Sequence, residues 1–83
     1  MARLLFFGKL GDAAGGRERQ WPVKSGGVTI NDLVAAIGKA DPALGVSLED
    51  ETVRCIVNEQ MAARSVTVHD GDEIAFLPPV SGG

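Results

Sequence analysis

Cysteine, histidine and aromatic residues are scarce in this sequence of 83 residues. It has one cysteine, Cys55, one histidine, His69, and no tyrosine. A lone cysteine excludes an internal disulfide and an all-cysteine metal or iron–sulfur site, and it suits a reducing, cytoplasmic compartment. No Gly-x-Ser-x-Gly nucleophile turn and no glycine-rich phosphate loop of known spacing is present. The sequence therefore offers no recognisable catalytic centre of its own.

Basic charge and long apolar runs are missing as well. The chain has 8 Lys and Arg residues against 11 Asp and Glu residues, a formal net charge of −3. Because phosphate contacts dominate nucleic-acid affinity, no nucleic-acid partner is expected. No apolar run approaches the roughly 20 residues that span a bilayer, and the N-terminal run ends at Gly8-Lys9, too early for a signal peptide. These features predict one small cytoplasmic domain without a membrane partner.

One amphipathic helix stands out in what the sequence does contain. Its apolar stripe has the i, i+3, i+4, i+7 spacing of a helix face and consists of Ile30, Leu33, Val34 and Ile37. Thr29 is suited to cap its N-terminus. Gly38 and Asp41-Pro42 predict its end, and Asp41 is also placed to cap a short second turn of helix through Leu44.

Five strands are predicted around this helix, from apolar alternation and from the turn residues between them. They cover residues 3–7, 17–23, 53–57, 66–68 and 73–77. Residues 8–16, rich in Gly and Ala, are predicted to be a turn. Pro22 assigns the second strand to a sheet edge, and Pro78-Pro79 ends the last strand. The order β-β-α-β-β-β predicts an α+β domain with the helix on one face of the sheet.

Three features invite a functional interpretation and also have a simpler one. The acidic turn formed by His69, Asp70, Asp72 and Glu73 could bind a metal, but its spacing is typical of a solvated turn. Cys55 lies on an apolar strand face, which favours a structural thiol. Trp21 could contact a partner, although packing near the sheet edge is favoured. We predict no metal site.

The C-terminal segment, LPPVSGG over residues 77–83, combines three properties. Pro78-Pro79 holds the chain extended as it leaves the sheet. Gly82 and Gly83 have no Cβ and could enter a narrow channel, and Gly83 carries an ionised carboxylate. The last five residues could reach on the order of 16 Å beyond the domain. This segment could be a carrier arm or a frayed, glycine-rich terminus, and two glycines alone favour the latter.

Residues 70–83, DGDEIAFLPPVSGG, closely resemble the C-terminal signature of the small subunit of molybdopterin synthase, the MoaD family. Leu5-Phe6-Phe7, Val57-Asn58 and the order of elements agree with it, whereas residues 11–52 carry little of the signature. The resemblance implies a β-grasp, ubiquitin-like fold, a mixed sheet of about five strands with one main helix on one face. The domain would span residues 1–78 and the extended tail residues 79–83.

The resemblance also implies a sulfur carrier that is not catalytic alone. In the family, an adenylating enzyme, MoeB, uses ATP to adenylate the terminal glycine, here Gly83, and a sulfur donor protein converts it to a thiocarboxylate. The tail, here Pro79, Val80, Ser81 and Gly82, enters the large subunit, MoaE. Sulfur then passes to cyclic pyranopterin monophosphate in molybdenum cofactor biosynthesis. The assembly is a heterotetramer, and the chain itself would bind no cofactor.

A partner surface follows from the implied fold. In a β-grasp sheet the first and last strands are parallel neighbours, so Arg3 would lie near Glu73 and Phe7 near Leu77 on the outer face. We expect Phe7 and Leu77, joined by Met61, to form an exposed apolar patch where the tail leaves, which is typical of an interface. Partial burial of the patch under a loop is the alternative.

Other functions stay open. A ThiS-like carrier for thiamin thiazole or a carrier for tRNA thiolation would use the same chemistry, although the LPPVSGG tail favours molybdopterin synthase. A β-grasp binding module with an inert terminus is a further alternative.

Overall fold

The computed structural model describes residues 1–79, which contain seven strands and three helices. The elements are β1 (Ala2–Phe6), α1 (Lys9–Ala14), β2 (Glu18–Trp21), β3 (Val28–Thr29), α2 (Ile30–Ala40), α3 (Pro42–Glu49), β4 (Arg54–Val57), β5 (Gln60–Ala62), β6 (Thr67–Val68) and β7 (Glu73–Leu77). Within this part of the chain, no helix has the length and apolar character needed to cross a membrane.

Five strands form the main sheet, in the order β2-β1-β7-β4-β5. The central pair, β1 and β7, is parallel, with Arg3 opposite Glu73, and the other neighbours are antiparallel. The predicted parallel pairing of the first and last strands is therefore confirmed. So is the edge position of β2, the strand that ends just before Pro22.

The inner face of this sheet forms the core with α2. Leu4 and Phe6 of β1 and Ile74 and Phe76 of β7 are buried, and the Phe6 and Phe76 rings stack with their centroids 5.6 Å apart. Each such side chain contributes about 1.5–3 kcal/mol on burial. The predicted stripe of α2 faces them and is fully buried. Its predicted cap is confirmed too, because the Thr29 hydroxyl accepts a hydrogen bond from the Asp32 N–H at 3.1 Å.

The segment predicted as a turn over residues 8–16 contains a helix, so that prediction was wrong. Helix α1 buries Leu10 and Ala14, and this burial stabilises it although glycine and alanine dominate the segment. Gly15 ends the helix in the left-handed conformation, with φ of +76°.

Helix α3 is longer than predicted. Asp41 caps it as expected, since its carboxylate accepts a hydrogen bond from the Leu44 N–H at 3.3 Å. The helix continues to Glu49 rather than ending near Leu44, because Leu44 and Leu48, four residues apart, are both buried. Gly38 does not end α2, which runs on to Ala40. The single main helix of the prediction is thus accompanied by two shorter ones.

The strand predicted over residues 66–68 does not belong to the main sheet. Its core, β6, pairs with β3 in a separate two-stranded sheet, and the fifth strand of the main sheet is β5. A two-residue turn of Asn58 and Glu59, both with positive φ, joins β4 to β5. The α+β class with a mixed five-stranded sheet is confirmed.

Candidate functional site

The chain leaves the sheet at the end of β7, the central strand. Leu77 is the last strand residue, and Pro78 and Pro79 follow it outside the sheet. Neither proline has an N–H to extend the pairing, so the strand ends here. The remaining tail residues of the prediction, Val80, Ser81, Gly82 and Gly83, lie outside the described residues. The site that the structure describes is therefore the exit of the tail.

Gly8 fixes the path of the chain at this exit. It has φ of +55° and ψ of −133°, a conformation that only glycine adopts without strain. A Cβ on Gly8 would lie 3.0 Å from Cγ of Pro78. The Phe7 N–H also donates to the Phe76 carbonyl at 3.1 Å, which continues the pairing with β7 past the end of β1. The segment after β1 thus packs directly against the start of the tail.

An apolar outer patch lies beside the exit, on the face of the sheet opposite the helices. Phe7 is 45% exposed and Met61 is 65% exposed, whereas Leu77 is half-buried. The strand register continues the alignment of Leu5 with Ala75 to Phe7 beside Leu77. The structure therefore brings Phe7 and Leu77 together as expected. Met61 lies two strands away from Leu77, on β5.

Three residues that were not predicted as site residues, Leu5, Ala75 and Ile56, connect Met61 to the exit. Across the sheet, Leu5 pairs with Ala75, Ala75 with Ile56, and Ile56 with Met61. Alternation along each strand puts this row on the outer face. Ala75 is only 6% exposed because its neighbours cover it. Recognising the row requires the register of β4 and β5, and the strand β5 was not predicted.

The opposite end of the outer face is charged. The Arg3 guanidinium lies 3.3 Å from the Glu18 carboxylate and 3.4 Å from that of Glu73. Such exposed ion pairs contribute about 0–1 kcal/mol each. These ion pairs lie at the end of the outer face that is farther from the exit.

The acidic turn before β7 has structural hydrogen bonds. The Asp72 carboxylate accepts from the His69 N–H at 2.7 Å and from the Asn58 side-chain amide at 2.9 Å. These two bonds, the amide first, hold the pKa of Asp72 below its usual value. Asp70 pairs with the N-terminal ammonium of Met1. Among residues 1–79, no group of three or more His, Cys, Asp or Glu side chains is arranged to hold a metal ion.

Cys55 and Trp21 both pack inward. Cys55 is buried on the inner face of β4, and burial raises the pKa of its thiol. A thiol of this kind is a poor nucleophile. Trp21, opposite Ala2 in the strand pair, is half-buried against the core, which confirms the packing that was favoured for it.

Comparison with known proteins gives consistent matches over the whole chain. Residues 4–83 match the model of the ThiS family. The chain is similar to the molybdopterin synthase sulfur carrier subunit of Chlamydomonas reinhardtii, with 35% identity over 82 residues, 98% of this chain and 96% of that protein. It is also 31% identical to the subunit of the same name from Mycobacterium tuberculosis (strain ATCC 25618 / H37Rv), over 80 residues that cover 96% of this chain and 94% of that protein.

Solved structures give the same result for the fold. The crystal structure of SAMP1 from Haloferax volcanii superposes with a TM-score of 0.81 and 32% identity, covering 99% of this chain and 98% of that one. Mycobacterium tuberculosis CysO superposes with a TM-score of 0.76, covering 96% of this chain and 100% of that one. Because its sequence identity is only 17%, this match supports the fold alone. The expected β-grasp fold is confirmed.

Proposed function

The chain belongs to the ThiS family, and we propose on that premise that it is the sulfur carrier subunit of a molybdopterin synthase. The observation that carries the proposal is the 35% identity, over 98% of the chain, with a sulfur carrier subunit of that enzyme. In the proposed reaction, Gly83 is the reacting residue. Residues 79–82, Pro79 through Gly82, form the thin arm that brings it to a partner.

The chemistry of this role explains why the chain needs few catalytic groups of its own. A carboxylate is a poor electrophile, so the Gly83 carboxylate first attacks the α-phosphorus of ATP on an adenylating enzyme, and pyrophosphate leaves. Hydrosulfide supplied by a donor protein then attacks the acyl carbon, and the bond to AMP breaks to give a thiocarboxylate. The nucleotide is bound by the partner, and the carrier supplies a folded handle and an unhindered terminus.

Two protein partners follow from the proposal, a MoeB-like adenylating enzyme and a MoaE-like large subunit. The outer patch of Phe7, Leu77 and Met61, with the row that connects them, is the proposed contact surface for both. Its position supports this role, because a partner that encloses the tail also covers the apolar surface beside the exit. Sulfur transfer to cyclic pyranopterin monophosphate would then take place in the large subunit.

The intact mass of the protein tests the carrier chemistry. The chain is incubated with ATP, an adenylating enzyme and a sulfur source, and we expect one oxygen of Gly83 to be replaced by sulfur. A variant lacking Gly83 keeps the whole described domain and should gain nothing. An unchanged mass, under conditions that thiolate a known carrier, would contradict the proposal and favour a binding module with an inert terminus.

A second experiment separates the pathways. The thiolated chain is mixed with its large subunit and cyclic pyranopterin monophosphate, and molybdopterin is the expected product. A chain that is thiolated but neither binds a large subunit nor yields molybdopterin would instead serve thiazole formation or tRNA thiolation. Attachment of the chain to other proteins through Gly83 would favour a modifier role, a possibility raised by the 32% identity with small archaeal modifier protein 1, SAMP1.

A further inference from the structure

The five arginines of the chain differ in what their side chains contact. Arg3 pairs with two glutamates, Arg19 with Asp41 and the Ala14 carbonyl, and Arg64 donates to the carbonyls of Asp50 and Val53; these are the arginines with partners. Within residues 1–79, Arg17 and Arg54 have no hydrogen-bond acceptor and no carboxylate within 4.0 Å. Both are exposed.

These two arginines lie at the same end of the sheet, where the tail leaves. Arg54 is the first residue of β4 and stands directly opposite Leu77. Arg17 immediately precedes β2, and its carbonyl accepts the N–H of Phe6 at the end of β1. Because β7 lies between β1 and β4, the exit has one arginine on each side.

A third cation belongs to the same group. Lys9 is exposed and follows Gly8, the residue that packs against Pro78. We call Lys9, Arg17 and Arg54 the basic rim. Three exposed carboxylates lie near it in sequence. Glu18 is paired with Arg3, and Asp12 and Glu51 line the same surface grooves as the arginines. The exit therefore has a local excess of positive charge, whereas the chain as a whole has a net charge of −3.

We propose that the basic rim pairs with carboxylates around the mouth of the channel that receives the tail in the adenylating enzyme. This inference rests on the proposed function and specifies the chemistry of that partner's surface. The tail beyond Pro78 is five residues long and reaches on the order of 16 Å. The rim therefore meets protein at the channel mouth, and the ATP phosphates at the far end of the channel are beyond its reach.

The adenylation step has the greatest need of such contacts. It brings an ionised carboxylate, on a chain of net negative charge, towards ATP, which is also an anion. Opposite charges at the edge of an interface raise the rate of encounter and fix the orientation of the partners. Lys9 and Arg17 lie on one side of the exit and Arg54 on the other, directly opposite Leu77, so apolar and charged contacts would act on one surface.

Charge reversal at the rim tests the proposal. The variants are Arg17→Glu, Arg54→Glu and the double variant, with Lys24→Glu as the control, since Lys24 is exposed near the other end of β2. ATP–pyrophosphate exchange measures adenylation by the organism's own adenylating enzyme. We expect KM for the carrier to rise about 3- to 10-fold for each single variant, as for charges at an interface edge, with kcat unchanged.

Salt dependence provides the second measurement. KM of the native chain should rise between about 50 mM and about 500 mM salt, where the Debye length shortens severalfold. The double variant should lose most of this dependence, whereas Lys24→Glu should keep it. Far-UV circular dichroism and urea midpoints verify that each variant is folded.

The outcomes distinguish this inference from the proposed function. If the native chain is adenylated and the double variant has the KM and salt dependence of Lys24→Glu, the basic rim proposal is wrong and the carrier function stands. If the native chain is not adenylated at all, the carrier function fails and the rim proposal fails with it. An effect confined to the large subunit would likewise overturn the assignment to the adenylating enzyme.

Discussion

Gly45 of α3 lies so close to Gly38 of α2 that a Cβ on Gly45 would stand 2.4 Å from the Cα of Gly38. The contact is asymmetric, because a Cβ on Gly38 would lie 3.4 Å from the Cα of Gly45, at ordinary contact distance. The two helices therefore meet backbone to backbone at this point, and only one of the two glycines has no space for a methyl group.

This asymmetry predicts different effects of the same substitution. Gly45→Ala should lower the free energy of unfolding by about 1–3 kcal/mol, since forcing the helices apart outweighs the gain in helix propensity of about 1 kcal/mol. Gly38→Ala, the matched control, should be close to neutral or stabilising. Urea denaturation measures both, and equal losses would contradict the close contact.

The stability of the domain should depend on the carboxylate of Asp72 in acid. Its pKa is lower in the folded chain than the usual 3.8, because the Asn58 amide and the His69 N–H bind the charged form. A lowered folded pKa means that the stabilisation is present above the unfolded pKa and is lost as pH falls through the folded value. We expect the native chain to lose stability below about pH 4, and Asp72→Asn to lose less over the same range.

NMR titration of the Asp72 carboxyl provides the control. Asn58→Gly keeps a residue that accepts the positive φ of 48° but removes the amide donor. It should move the pKa of Asp72 up towards its usual value. If Asp72→Asn keeps the full acid sensitivity of the native chain, other carboxylates are responsible, Asp50 with its hydrogen bonds from Thr52 first among them.

Gly8 should affect the tail as well as the fold. Gly8→Ala imposes on alanine a positive φ combined with a ψ of −133°, at a cost of about 1–3 kcal/mol, and its methyl group would press on Pro78. Gly15→Ala imposes a similar φ, but a Cβ there meets no atom within 4 Å. Both variants should lose stability, whereas only Gly8→Ala should slow adenylation of Gly83, by about 10-fold or more if the tail is misplaced by an ångström. Equal adenylation rates in the two variants would show that Gly8 does not determine the path of the tail.

A charge in the outer patch should weaken partner binding without unfolding the domain. We expect Phe7→Asp, and separately Leu77→Asp, to reduce affinity for the large subunit or the adenylating enzyme by about 10-fold or more, the loss for one interface anchor. Val46→Asp is the control, because Val46 is 72% exposed on α3, away from the outer face. Titration calorimetry with each partner measures the effect, and native affinity in both patch variants would reject the interface.

Local signals in the sequence were enough for the elements whose apolar residues follow a regular period. The stripe of α2 with its Thr29 cap and the alternation in β7 were predicted within one or two residues. Helix α1 was not, because its stability comes from burying Leu10 and Ala14 against elements distant in sequence, while its glycines predict a turn. Gly45 did not indicate α3 either, because its role is to allow close packing against Gly38 of another helix.

The candidate site also contains some residues that were predictable from the sequence and others that were not. Phe7 and Leu77 could be placed together because the resemblance supplied the parallel pairing of β1 and β7. Ile56 belongs to the strand predicted over residues 53–57, but its position between Ala75 and Met61 depends on two further registers. Arg54 gave no signal, because what distinguishes it is its place opposite Leu77, a relationship between residues 23 positions apart in the sequence.

The central position of β7 has a consequence for protein synthesis. Among the strands of residues 1–79 it is synthesised last, yet it joins β1 and β2 on one side to β4 and β5 on the other. A chain cut short before Glu73 would retain two separate hairpins, which are marginally stable in water. A polypeptide that lacks β7 would therefore not form the five-stranded sheet. Under the proposed function, only a chain that already includes β7 would present a folded domain to its partners.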